Sequence, residues 1–218
     1  MKTIAATRWL AGCSLASVLL GQSSVSLTAA AATADANNSP TTDPRLAMVT
    51  ALKAIGPHPT LGDHAKLFGR LVGTWDVEYT DFSKDGKASH RSGEFIVGWV
   101  MDGRAIQDVW IVNPSGTRKD REVYTDLRYY DPKSGTWPAT FFDPEHASVA
   151  RFTGGAVGDD RIVLDTQDFG GTDTRWSIND IRPDSFIWHE EESLDGGKTW
   201  RLLAEYHMKR RGAAPPAL

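Results

Sequence analysis

The sequence predicts an all-β fold: about ten antiparallel strands in a meander that closes into a barrel, with one or two short N-terminal helices. Three observations carry this. Gly73-Thr74-Trp75 opens a segment in which Trp75, Val77 and Tyr79 alternate with Asp76, Glu78 and Thr80, the period-two pattern of a strand with one buried face. Beyond it, turn signals recur at short intervals: Lys84-Asp85-Gly86, Asp102-Gly103, Asn113 to Gly116, Asp131 to Gly135, Asp143-Pro144, Gly158-Asp159, Gly170-Gly171, Pro183-Asp184 and Asp195-Gly196-Gly197. Short connections make neighbours in sequence neighbours in the sheet, and a long meander removes its exposed edges by closing on itself.

The chain has 218 residues, 40% hydrophobic and 24% charged, which suits one soluble domain. Lys2 and Arg8 precede the apolar run from Trp9 to Leu20, and small residues lead to Ala32-Thr33-Ala34, so residues 1–34 read as a secretory signal peptide. Cleavage after Ala34 removes two of the 24 basic residues and leaves 28 acids, a net charge of −6 for a chain starting at Asp35. The single cysteine, Cys13, lies within that signal, which excludes disulfides and thiolate catalysis from the mature protein. Leu10-Ala11-Gly12-Cys13 also matches a lipobox. Most of the apolar region follows Cys13, however, so soluble export to the periplasm or beyond is the expectation. No other segment has the roughly 18 apolar residues of a membrane span. An acidic chain with only Lys209-Arg210-Arg211 as a basic run is not built for nucleic acid.

In order, residues 35–42 read as a polar leader. Asp43-Pro44 then starts a short helix with Leu46, Val49 and Leu52 on one face and Gly56 as its stop, completing a leader and helix over 35–58. The barrel domain spans 59–212. It begins with a second helix over Leu61 to Arg70 that turns Leu67, Phe68 and Leu71 inward. Ten strand cores follow, beginning near Trp75, Glu94, Ala105, Asp126, Trp137, Val149, Arg161, Thr174, Phe186 and Thr199. On the last strand, parity puts Trp200, Leu202, Ala204, Tyr206, Met208 and Arg210 inward and His207 outward.

A Gly-x-Trp at the mouth of the first strand, together with a basic residue on the last, resembles the calycin superfamily of lipocalins and their relatives. The resemblance implies a ligand-holding barrel in which Arg210 stacks over Trp75, a cation–π contact of about 0.5 to 2 kcal/mol; the alternative is that Arg210 belongs to a charged tail. His64 to Glu78, Asp102-Gly103-Arg104, Leu127 to Asp131 and the run from Arg175-Trp176-Ser177 to Trp200 are similar to a bacterial calycin-like family of unknown function, often secreted. That likeness covers most of residues 59–211 and implies a fold without catalytic residues. Ser193-x-Asp195-x-Gly197-x-Thr199-Trp200 also matches the Asp-box of sialidases. It occurs once, in a chain too short for a propeller, and reads as the turn before the last strand.

Candidate chemistry lies in three places. Glu190 shares a face with Phe186 and Trp188: either its carboxyl enters the barrel among tryptophans, with a raised pKa suited to acid–base work, or it belongs with Glu191 and Glu192 to a solvated strand end. Arg128 lies between Asp126 and Tyr130 on one face, and Arg175 precedes Trp176. An interior arginine holds a ligand carboxylate or else pairs with an acid such as Asp108, and sequence leaves both open. The histidines, His58, His64, His90, His146, His189 and His207, show no metal spacing beyond a weak Asp143-x-Glu145-His146. The expected function is binding of a small, partly apolar molecule, aromatic or acyl, by Trp75, Asp108, Arg128, Tyr130, Arg175, Trp188, Glu190 and Arg210. The alternatives are an isomerase, lyase or hydrolase using Glu190 or Asp108 with Arg128, a haem-binding barrel of the nitrobindin type, and a partner-binding sheet. No metal or other cofactor is expected, and the oligomeric state is open.

Overall fold

Ten antiparallel strands follow one another around a closed barrel in the computed structural model, which describes residues 43–116 and 119–213. The expected signal segment, Cys13 and the leader to residue 42 lie outside the described residues. The strands are β1 Gly73–Phe82, β2 Ala88–Val100, β3 Ala105–Val112, β4 Glu122–Tyr129, β5 Ala139–Asp143, β6 Ser148–Ala156, β7 Ile162–Thr166, β8 Asp173–Asn179, β9 Ser185–Ser193 and β10 Arg201–Arg211. Each pairs with its successor, and β10 returns to β1, so no strand edge is left unpaired around the ring. Odd-numbered residues of β1 point in: Trp75, Val77 and Tyr79 are all buried.

Two short elements precede β1. Helix α1, Pro44–Leu52, starts with proline in its first turn, where the missing N–H costs nothing. It stops before Gly56, because the backbone turns to the end of β2: Ala54 N donates to Trp99 O, and Lys53 bridges to Val100. Leu46 and Val49, which share one face of the helix, are more than half exposed. In place of the second expected helix there is a 3₁₀ segment Pro59–His64, kinked within itself at Gly62 (φ +52°, ψ −135°), that runs on into α2 Ala65–Gly69. Phe68 and Leu71 at its end are fully buried and plug one end of the barrel, which we call the floor.

The floor is where the first and last strands meet. Trp75 and Arg210 are in register across β1 and β10, and the guanidinium lies 3.8 Å from the centre of the indole. Arg210 donates to three backbone carbonyls, Pro183 at 2.5 Å, Val72 at 2.6 Å and Arg70 at 2.8 Å, which ties the end of the plug to the last strand. Trp75 Nε1 donates to Leu71 O at 2.8 Å, and its ring meets Phe186 edge-on at 4.6 Å. The glycine of Gly-x-Trp has a physical reason here. Gly73 has φ +136°, and a Cβ on it would stand 2.5 Å from Arg210 Nη1.

Parity on β10 holds from Ala204 to Arg210 and fails before it. Ala204 pairs with Glu190 but Leu202 pairs with Glu191, so one extra residue bulges out between them. Trp200 and Leu202 therefore belong to the outer face rather than the interior. Trp200 packs outside, 3.9 Å under the guanidinium of Arg175. The Asp195 turn forms as expected. Asp195 accepts from Lys198 N at 3.0 Å, Thr199 N at 2.9 Å and Thr199 Oγ1 at 2.7 Å, and the Thr199 bonds lead in holding its carboxyl down at about 2.

Candidate ligand-binding site

Along β3 and β4, facing pairs stack from floor to mouth: Ile106 with Arg128, Asp108 with Asp126, Trp110 with Tyr124, and Val112 with Glu122. The lower two pairs make a solid layer. Arg128, Asp108 and Asp126 are each no more than 1% exposed. Arg128 Nη2 donates to Asp108 Oδ2 and, at 2.7 Å, to Asp126 Oδ2. The guanidinium is 4.8 Å from the Phe68 ring of the plug and 6.0 Å from the Trp188 ring. Burial pushes both aspartates up, against the opposing pull of Arg128, and Asp108 goes the further because Asp126 adds a like charge. Burial works against the charge on Arg128, but the two carboxylates outweigh it. The interior ion pair, not a ligand-facing arginine, is what the structure shows.

Above that layer the barrel is hollow. A cavity of about 350 Å³ opens toward the mouth, walled by Tyr79, Trp110, Tyr124, Phe141, Phe169, Trp176, Trp188 and Tyr206. The rings brace one another: Trp110 stands edge-on to Trp188 at 5.1 Å, Trp188 to Trp176 at 5.5 Å, and Tyr206 to Trp110 at 5.7 Å. Glu190 lines this wall, and Tyr206 Oη donates to its Oε2 at 3.2 Å. Burial raises the Glu190 carboxyl, the Tyr206 hydrogen bond opposes the shift, and the charges of Asp81 and Glu192 add to it. Burial also raises the phenols of Tyr206 and Tyr79, so both stay protonated donors. The Tyr79 hydroxyl is buried without a hydrogen-bond partner among the described residues.

The mouth is polar. Arg91 on β2 reaches Asp81 at 3.1 Å and Glu122 at 3.2 Å, and Tyr124 Oη also donates to Glu122. His146 Nδ1 and Asp143 Oδ2 are 2.7 Å apart on the opposite rim, in the turn between β5 and β6. Asp81, Arg91, Asp143 and His146 all border the cavity. Among the described residues no group of three or more His, Cys, Asp or Glu is arranged to hold a metal ion, and no helix is long and apolar enough to cross a membrane.

The eight residues singled out in sequence divide by height in the barrel. Trp188 and Glu190 line the cavity. Trp75 and Arg210 form the floor, and Asp108 and Arg128 form the layer above it. Tyr130 faces inward at the wrong end: β4 runs from mouth to floor, and Tyr130 stacks on His64 of the plug at 3.9 Å. Arg175 is on the outer surface, paired with Asp165 at 2.8 Å, because its neighbour Trp176 takes the inward position. Three wall residues, Tyr79, Trp110 and Tyr206, were findable from strand parity alone. Arg91, Asp81 and Glu122 carry no such signal, because their meeting depends on the register of four strands. His207 faces outward, bonded to Glu205 at 2.7 Å, and His146 is the one histidine bordering the cavity among the described residues. With Asp143 on its Nδ1 and its place at the rim, His146 does not fit an axial haem ligand from within the barrel.

No protein-family model matches the chain, and comparison with curated proteins gave no match. Solved structures do resemble it. Rv2717c from M. tuberculosis is 13% identical, with a TM-score of 0.52, over 72% of this chain and 99% of its own. The S-type phycobiliprotein lyase CPES from Guillardia theta is 12% identical, with a TM-score of 0.49, over 67% of this chain and 91% of its own. A redesigned β barrel, mFAP1, bound to DFHBI, is 14% identical with a TM-score of 0.32, over 66% and 99%. At such identities the likeness is one of fold, and Rv2717c carries it. The calycin-like expectation is met as a closed barrel.

Proposed function

We propose that the protein binds a small, partly apolar molecule inside its barrel. One observation carries this reading: a cavity of about 350 Å³ walled by aromatic rings, with Glu190 and Tyr206 as a placed polar pair within it. Pockets of this size, mostly apolar with few polar groups, are typical small-molecule sites. The carboxylate ligand expected from Arg128 loses its support, since that guanidinium serves Asp108 and Asp126. The enzyme reading keeps Glu190, whose raised carboxyl can exchange a proton, but without Arg128 as its partner. We place the protein's work outside the cytoplasm. Lys2, Arg8, the apolar run and Ala32-Thr33-Ala34 support that placement.

Two measurements test the proposal. Because Trp110, Trp176 and Trp188 wall the cavity, an occupant quenches their fluorescence and raises the melting temperature. A broad panel of phenols, amines, fatty acids and haem that left both unchanged would remove the binding function. N-terminal sequencing of protein from its native source should begin at Asp35; an acylated Cys13 would overturn the soluble export.

A further inference from the structure

The ionisable groups around the cavity are unequal in number and in engagement. Asp81, Asp143 and Glu190 border it as acids, against Arg91 and His146. Arg91 is already shared between Asp81 and Glu122, so among the described residues bordering the cavity no unengaged guanidinium faces an anionic ligand. His146 is taken by Asp143. Glu190 is different: its one hydrogen-bond partner among the described residues is the neutral hydroxyl of Tyr206. Beneath the cavity, two carboxylates share the single guanidinium of Arg128, so that layer adds no positive potential. The walls contribute in the same sense. Indole and phenol rings present negative faces that attract cations. The buried Tyr79 hydroxyl adds an unpartnered polar atom on the wall.

We propose that this cavity takes an organic cation, an aromatic or compact alkyl ammonium of single positive charge. Glu190 is its counter-charge, and Trp110, Trp188 and Tyr206 supply π faces. The proposal rests on the reading of the cavity as a ligand site. It inverts the headgroup chemistry expected from an interior arginine. A cation gains both the Glu190 carboxylate and the rings, while an anion meets Glu190 and finds Arg91 already shared between Asp81 and Glu122.

The test uses the full protein and three phenyl probes: phenyltrimethylammonium, tert-butylbenzene, its uncharged carbon isostere of the same shape, and the anion benzoate. Binding is read by calorimetry and tryptophan fluorescence. The cation should bind at least about ten-fold more tightly than the isostere, which corresponds to about 1.4 kcal/mol, and benzoate should not bind at millimolar concentration. Glu190→Gln should cut the cation's affinity by about ten-fold and leave the isostere unchanged. If the wild-type protein binds isostere or benzoate as tightly as the cation, the charge preference is wrong while the cavity remains a ligand site. If no probe binds, and the wider panel is silent too, both the cation and the site are overturned. The wild-type comparison does not depend on how well the variant folds.

Discussion

Replacing Arg128 by methionine removes the one cation from a layer with two buried carboxyls. Two acids and one guanidinium balance when one carboxyl is neutral, the direction in which burial pushes Asp108. In Arg128→Met the second carboxyl must become neutral as well. An aspartate in the unfolded chain has a pKa of about 3.9, so one extra proton at pH 7 costs about 3 units at about 1.4 kcal/mol each, roughly 4 kcal/mol. At pH 5 the same proton costs only about 1.5 kcal/mol. Loss of the cation over Phe68 adds about 1 kcal/mol at either pH. The sign follows from linkage. The variant's aspartates have folded pKa values above the unfolded value, so the folded state binds more protons, and stability falls as pH rises above about 4. Urea unfolding followed by tryptophan fluorescence should therefore show a loss of about 5 kcal/mol at pH 7 and about 2.5 at pH 5. Adding Asp126→Asn should recover most of the pH 7 loss. A loss that is the same at both pH values, or below about 1 kcal/mol, would refute the charge-balance argument.

Three further outcomes follow from the same geometry. Trp75→Ala, which empties the space between Leu71, Phe186 and Arg210, should cost about 3 to 5 kcal/mol in denaturant unfolding, and a loss under about 1 would mean the indole does not close the floor. Gly73→Ala should cost more than about 1 kcal/mol from its positive φ and the approach of Arg210, and should cost less in an Arg210→Ala background; equal costs would show that Arg210 is not what excludes the methyl. Glu190→Gln should gain on the wild type as pH rises from about 4, by up to about 1.4 kcal/mol per unit, because a raised carboxyl stabilises the fold below its unfolded pKa and loses that contribution as pH climbs through the folded one. Melting temperatures of the pair at pH 5 and pH 8 that differ by the same amount would sink that expectation.

Much of the fold was legible because strand parity and turn chemistry are local. The alternation of Trp75, Val77 and Tyr79, and the Asp-Gly turns, each speak from a few residues. Arg210 over Trp75 came from the resemblance to calycins that two distant stretches carry together, and the register of β1 with β10 realises it. Parity failed where it met the bulge before Ala204, since an inserted residue leaves no trace in hydrophobic pattern when Trp200 and Leu202 are themselves apolar. The role of Arg128 was undecidable for another reason. Whether an inward arginine meets an acid depends on which residue of β3 lies opposite, and only the pairing of Asp108 with Asp126 settles it. Height along the barrel was the other gap: parity tells inside from outside but not floor from mouth, which is why Tyr130 and Glu190 looked equivalent.

The seam between β1 and β10 also sets the order in which the molecule can be made. Val72 and Arg210, joined by a hydrogen bond there, are 138 residues apart in the chain. A ribosome emits β1 long before its partner exists, so β1 must wait with one edge open while nine further strands are synthesised. Contacts of such separation make closure a late and slow event, governed by loop entropy rather than by local propensity. A nascent chain halted before β10 would present two sticky edges and an aromatic interior open along the missing strand, the form most exposed to aggregation and to capture by chaperones.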